Sequence, residues 1–89
     1  MNEVTRFRDY LLSTVAEIVG EPSVNRLVRY LRRRLGEEKS NQLEKLVKVV
    51  VKLLDDWSGR ELSEEDIELC RGVTEVLVRY LKALQRSST

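Results

Sequence analysis

The stretch SEEDIELCRGVTEVLVRYL, residues 63–81, has the strongest helix signal in the chain. Ser63 is a preferred N-cap residue, and the acidic residues that follow it interact favourably with the positive end of a helix dipole. Apolar side chains then recur at intervals of three and four residues through Leu77 and Leu81, which is the period of an α-helix. Arg79, Lys82 and Arg86 place positive charge near the other end of the same segment. The pattern predicts an amphipathic helix over residues 64–85.

Three segments upstream of this helix have the same apolar period. We predict helix 1 over residues 3–19, helix 2 over 22–35 and helix 3 over 38–57, followed by Gly20, Gly36 and Gly59 respectively. Glycine just after a helix readily takes the left-handed backbone conformation that ends it. Three consecutive valines at 49–51 have strand propensity, but the flanking period is helical. With connections of about 2–6 residues, the sequence predicts an all-α fold: one domain, residues 1–89, forming a compact bundle of four helices.

The composition narrows the class of protein. Hydrophobic residues make up 42% of the chain and charged residues 35%, with one proline and four glycines, as is typical of a globular helical protein. No apolar run approaches the roughly 20 residues that cross a bilayer, and the N-terminal residues contain no apolar signal core. We therefore expect a cytoplasmic protein with no membrane association. The high charge also occurs in thermophilic proteins, so thermophilic origin stays an open alternative.

The residues that most enzymes and metal sites depend on are missing from the sequence. It contains no histidine, which is the commonest general base and metal ligand, and its single cysteine, Cys70, lies on an apolar helix face. Adjacent acidic pairs such as Glu64-Glu65 point about 100° apart on a helix and do not form a calcium-loop pattern. We expect no catalytic residues, no metal site, no cofactor and no enzymatic activity.

An arginine-rich face of predicted helix 2 is the sharpest local charge feature. Segment 21–36 contains five arginines and one acid, a local net charge of +4 on a chain whose net charge is only +1. We call the following set the arginine face: Arg26, Arg29, Tyr30, Arg33 and Arg34. Guanidinium groups bind phosphate and an exposed aromatic ring can stack on a base, so nucleic-acid binding is one interpretation. An acidic partner is a second, and pairing with the acidic start of predicted helix 4, within the bundle or between subunits, is a third.

The apolar faces of predicted helices 3 and 4 are unusually wide. Each covers roughly 200° of the helix circumference, whereas a helix on the outside of a bundle needs a stripe only slightly wider than 100°. Surplus apolar surface on a small protein indicates a protein interface, and a two-fold dimer is the commonest arrangement. The edges of these faces give four predicted interface valines: Val49, Val51, Val76 and Val78.

A five-residue sequence occurs twice without change. Leu-Val-Arg-Tyr-Leu fills positions 27–31 and again 77–81. A duplicated helical hairpin would explain the match, but amphipathic helices also draw on a small set of residue types, and the flanking sequences align poorly.

Together these features predict a small, non-enzymatic protein-interaction module, such as an adaptor, an assembly subunit or a regulatory domain. We expect it to act as a homodimer or with another protein partner. The alternative is a nucleic-acid-binding protein that uses the arginine face.

Overall fold

The computed structural model describes residues 2–87 and shows why each helix begins and ends where it does. The helices are α1 (Val4–Val19), α2 (Val24–Leu35), α3 (Glu37–Trp57) and α4 (Glu64–Arg86), with no strand among the described residues. The prediction of an all-α, four-helix bundle is confirmed. The three valines at 49–51 lie within α3, so the helical period prevails over their strand propensity.

The helix termini follow ordinary capping chemistry. The Ser63 hydroxyl accepts a hydrogen bond from the Asp66 backbone N–H at 3.2 Å, as the predicted N-cap requires. In α2 the cap is Ser23, whose hydroxyl accepts from the Arg26 N–H at 3.2 Å, so this helix begins two residues later than predicted. Gly36 alone joins α2 to α3, with a φ of 82° that side-chain-bearing residues rarely adopt.

The core is formed by the apolar stripes of all four helices. Its fully buried members include Leu11 and Val15 of α1, Leu31 of α2 and Leu54 of α3. The stripe of α4 is the longest contribution and comprises Cys70, Thr74, Leu77, Val78 and Leu81. Trp57 packs half-buried against this core, as its place at the end of predicted helix 3 suggests.

Contacts at the two ends of the bundle fix the directions of the helices. At one end the Asn2 side-chain amide donates to the Trp57 carbonyl at 2.9 Å, and Arg71 pairs with Glu3 at 3.2 Å. The start of α1, the end of α3 and the start of α4 therefore meet there, so α1 and α4 run parallel and α3 runs against both. At the other end Arg34 of α2 contacts α4 near its C-terminus.

The molecule is elongated along these helices. Its principal dimensions are 40 × 23 × 19 Å, and α4, with 23 residues, spans about 34 Å at 1.5 Å per residue. Across residues 2–87 we find no helix with both the length and the apolar character that crossing a bilayer requires.

Candidate interaction surfaces

An open apolar groove runs between α3 and α4. Its volume is about 680 Å³, within the range of roughly 300–1,000 Å³ found for ligand pockets. The residues that line it, which define the α3–α4 groove, are Leu43, Leu46, Val50, Glu68, Leu69, Gly72, Val73, Val76, Leu77 and Tyr80. Glu68 is the one charged residue in this set, so the groove offers an occupant dispersion and hydrophobic contact but few hydrogen bonds.

The groove exists because α3 and α4 pack mainly against other helices. α4 makes its most extensive contact with α1, and α3 with α2, while the contact between α3 and α4 is the slightest in the bundle. The groove is open at Gly72, because a Cβ at that position would meet no atom within 4 Å. Two helices with wide apolar faces therefore stand side by side with part of each face uncovered.

Large apolar side chains along the rim of the groove are exposed to solvent. Val76 is 68% exposed and Leu69 54%, while across the groove Leu46 is 49% exposed and the adjacent Val49 64%. Contiguous exposure of this kind on a small domain indicates an interaction surface. Leu46 follows the apolar spacing of α3 but lies at the groove rim, where it does not contribute to the core.

Of the four predicted interface valines, two are exposed and two are partly or fully covered by the rest of the protein. Val76 is exposed and lines the groove, and Val49 is exposed on α3 one turn from Leu46. Val51 is half-buried and packs against the core, and Val78 is 1% exposed and belongs to the core. Val78 is therefore unavailable to a partner, because α4 turns this edge of its apolar face towards the interior.

Charges of opposite sign border the two sides of the groove. Lys45 and Lys52 are exposed next to the apolar edge of α3, and Glu68 and Glu75 are exposed next to that of α4. Glu68 pairs with Arg71 one turn away. Within residues 2–87 Lys45, Lys52 and Glu75 form no ion pair, so these charges are free to meet a partner.

The structure uses part of the arginine face for contacts within the chain. Arg26 pairs with Glu21 at 3.1 Å between Nε and Oε1, and Arg34 donates to the Leu84 carbonyl at 2.8 Å and to the Ser87 hydroxyl at 3.1 Å. Arg29 and Arg33 remain exposed, with no ion pair in the part of the chain that the structure describes.

The arginine face does not pair with the acidic start of α4 within one chain. Arg34 contacts Leu84, which is 20 residues and about 30 Å along the helix axis from Glu64. The two charged regions thus lie at opposite ends of the bundle, and pairing across one bundle is ruled out as the reason for the arginines.

A small cavity lies beside the free arginines. It measures about 240 Å³ and is lined by Ile18 and Val19 at the end of α1 and by Arg26, Arg29, Tyr30 and Arg33 of α2; we call it the α2 cavity. Tyr30 is half-buried and packs against the core, and its hydroxyl is buried with no hydrogen-bond partner among residues 2–87. The sequence places Tyr30 among the arginines but gives no sign of the cavity, which depends on how α1 meets α2.

Cys70 is fully buried in the core. Burial raises the pKa of its thiol, and the negative charge of nearby Asp66 raises it further. The described residues contain no group of three or more acidic or cysteine side chains positioned to hold a metal ion.

Comparison of the chain with protein-family models, with curated proteins and with solved structures gave no match in any of the three.

Proposed function

We propose that this protein is a non-enzymatic interaction module that forms a homodimer through the α3–α4 groove. The observation that supports the proposal is the exposure of Leu46, Leu69 and Val76 along an open groove, with exposed Val49 one turn from Leu46 on α3. Removing apolar area from water contributes about 25 cal/mol per Å². The same α3–α4 face of a second copy, packed against this one, would cover those side chains.

The charges beside the groove favour a second copy of this chain as the occupant. Lys45 and Lys52 outnumber Asp56 beside the α3 side, and Glu68 and Glu75 outnumber Arg79 beside the α4 side, so a two-fold axis along the groove would bring sides of opposite net charge together. The net charge of +1 per chain also opposes self-association very little.

The first experiment is sedimentation velocity over the micromolar range. We expect a species near twice the chain mass of 10.4 kDa that dissociates on dilution. Val76→Asp should give the monomer at the same concentrations with unchanged helicity. Ser13→Asp adds the same charge at an exposed site on α1 and is the matched control. A wild-type mass that stays at one chain throughout would end the homodimer proposal.

A charge exchange tests the arrangement of the two copies. Lys52→Glu and Glu75→Lys should each weaken association about two- to thirtyfold, because a two-fold dimer loses two exposed ion pairs of about 0.2–1 kcal/mol each. The combined variant should restore association. Additive weakening instead would show that these edges do not face each other.

The alternative function, nucleic-acid binding through the arginine face, now depends mainly on Arg29 and Arg33, because Arg26 and Arg34 have partners within the chain. It predicts an affinity that falls steeply with salt as phosphate contacts release counterions. A gel-shift at low salt with no retardation would exclude it. We further propose a cytoplasmic location, where a lone buried thiol stays reduced.

A further inference from the structure

We propose that the α2 cavity binds a single phosphate group carried by a small ligand. The site lies on α1 and α2, away from the α3–α4 groove, and does not depend on the dimer. Three features of the described residues support it: uncompensated positive charge, an unpartnered buried hydroxyl, and the size and walls of the cavity.

The positive charge is concentrated at one point. Arg29 and Arg33 are four residues apart on α2 and therefore neighbours on the same helix face, with Arg26 one turn before Arg29. Like charges at this spacing repel each other. The only ion pair among the three, between Arg26 and Glu21, is more than half exposed and hence weak. A bound phosphate would turn this repulsion into attraction, since a guanidinium fork matches two phosphate oxygens.

The Tyr30 hydroxyl provides a hydrogen-bond donor at the same place. Buried polar groups in proteins nearly always have a partner, and this oxygen has none within residues 2–87. Its ring lines the cavity between the two free arginines in sequence. Because the hydroxyl oxygen is buried, a small shift of the Tyr30 ring would be needed for it to donate to a phosphate oxygen in the cavity.

The size and walls of the cavity limit the ligand. A volume of 240 Å³ equals that of about eight water molecules and is smaller than the pockets that hold drug-sized ligands. Ile18 and Val19 form an apolar wall opposite the arginines. The cavity therefore suits a phosphate ester with a small organic group.

A long polyanion fits the same surface less well. Arg34 is directed to the carbonyl of Leu84, and Arg32 pairs with Glu44 at 3.4 Å. Of the α2 arginines, Arg29 and Arg33 alone have no side-chain partner within residues 2–87, and both lie beside one cavity, whereas nucleic-acid backbones are held by a track of cations. This distribution of arginines favours a ligand with one phosphate group over a polyanion with many.

The test is an NMR titration of the full chain at constant ionic strength with inorganic phosphate, with phenyl phosphate as a small monophosphate ester, and with a decathymidylate oligonucleotide; chloride is the reference. We expect saturable shifts of the residue 26–33 amides and of the Arg29 and Arg33 Nε signals, with the monophosphate binding more tightly than phosphate. Arg29→Ala and Arg33→Ala should each weaken binding about tenfold or more, the loss expected for a charge-assisted hydrogen bond. Tyr30→Phe should weaken it about two- to tenfold.

The control variant is Arg6→Ala with Arg60→Ala, which removes two exposed positive charges at the opposite end of the bundle and should leave binding unchanged. If Tyr30→Phe alters the fold, the Arg29 and Arg33 variants, which change only exposed side chains, still decide the question. No saturable shift with phosphate or the monophosphate would overturn the proposal. Binding of the oligonucleotide alone would overturn it too, in favour of an extended nucleic-acid surface.

Discussion

Replacing Gly72 by alanine tests whether the α3–α4 groove is open in the folded monomer. Gly72 lies inside α4, and an alanine Cβ there would meet no atom within 4 Å. Glycine in a helix interior is about 0.8–1.0 kcal/mol less favourable than alanine, mainly because it loses more conformational freedom on folding. With no clash to offset this gain, Gly72→Ala should raise the free energy of unfolding by about 1 kcal/mol.

Urea unfolding followed by circular dichroism measures this change. With a slope of about 1–3 kcal/mol per molar urea, the midpoint should rise by roughly 0.3–1 M while the slope stays the same. The melting temperature should rise by about 4–8 °C, the usual effect of 1 kcal/mol in a domain of this size. The experiment belongs at low micromolar concentration, where dissociation favours the monomer.

Gly36→Ala is the control, because we expect it to change the free energy of unfolding in the opposite direction. Its φ of 82° disfavours any side chain, so Gly36→Ala should destabilise the protein by about 1 kcal/mol or more although the space around it is equally empty. If Gly72→Ala is destabilising in the monomer, another part of the chain fills the groove, and the reasoning from an open groove fails. Sedimentation at higher concentration completes the test, because two added methyl groups on the groove wall should weaken the dimer.

Three further perturbations have definite expected outcomes. Val78→Asp should unfold the chain, because an unpaired charge would enter the core. Val76→Asp should leave the circular dichroism spectrum unchanged, because this valine is 68% exposed in the monomer. It should weaken association at least about 30-fold, because each copy loses the burial of one valine in the dimer. Ser63→Ala should lower the free energy of unfolding by about 1 kcal/mol, measured in urea, because the Asp66 N–H loses its cap; a change near zero would mean that this helix end is satisfied otherwise. Cys70 should react with Ellman's reagent only at the rate of unfolding, because its thiol is buried and the pKa of the thiol is raised. The unfolded thiol ionises at a lower pH than the folded one, so the free energy of unfolding should fall as the pH rises above about 8.5. A serine variant should not show this fall.

Local chemistry explains why the sequence predicts the helices well. Caps and terminating glycines act over three or four residues, so Ser63, Gly20 and Gly36 are readable without knowledge of the fold. The start of α2 is the exception. Pro22 suits a first helical turn, but Ser23 captures the Arg26 N–H and moves the start to residue 24.

The groove is only partly predictable, because its position depends on the packing of distant segments. The width of an apolar face indicates that surface is left over, but not which edge remains outside. Val76 and Val78 lie at opposite edges of the face of α4, and the contact with α1 decides that Val78 is covered. The α2 cavity likewise depends on where the end of α1 meets Tyr30, which no local pattern records.

The repeated pentapeptide shows how far one sequence pattern determines burial. In both copies the two leucines and the valine are buried and the arginine is exposed. The tyrosines differ, because Tyr30 is half-buried beside the α2 cavity, whereas Tyr80 is 44% exposed at the groove. Helical period therefore sets the common pattern, and neighbouring helices set the difference.

Rotation of α4 cannot close the groove. At about 100° per residue, Leu69, Val76 and Tyr80 point within about 40° of one direction, while the buried positions 70, 74 and 81 point about 120° away from it. Turning the exposed group towards α1 would withdraw the buried group from the core and exchange one uncovered surface for another. Because α3 covers only part of the direction in which Leu69, Val76 and Tyr80 point, the four helices leave part of the apolar face of α4 without a neighbour. In the homodimer that we propose, the α3–α4 face of the second copy supplies this neighbour.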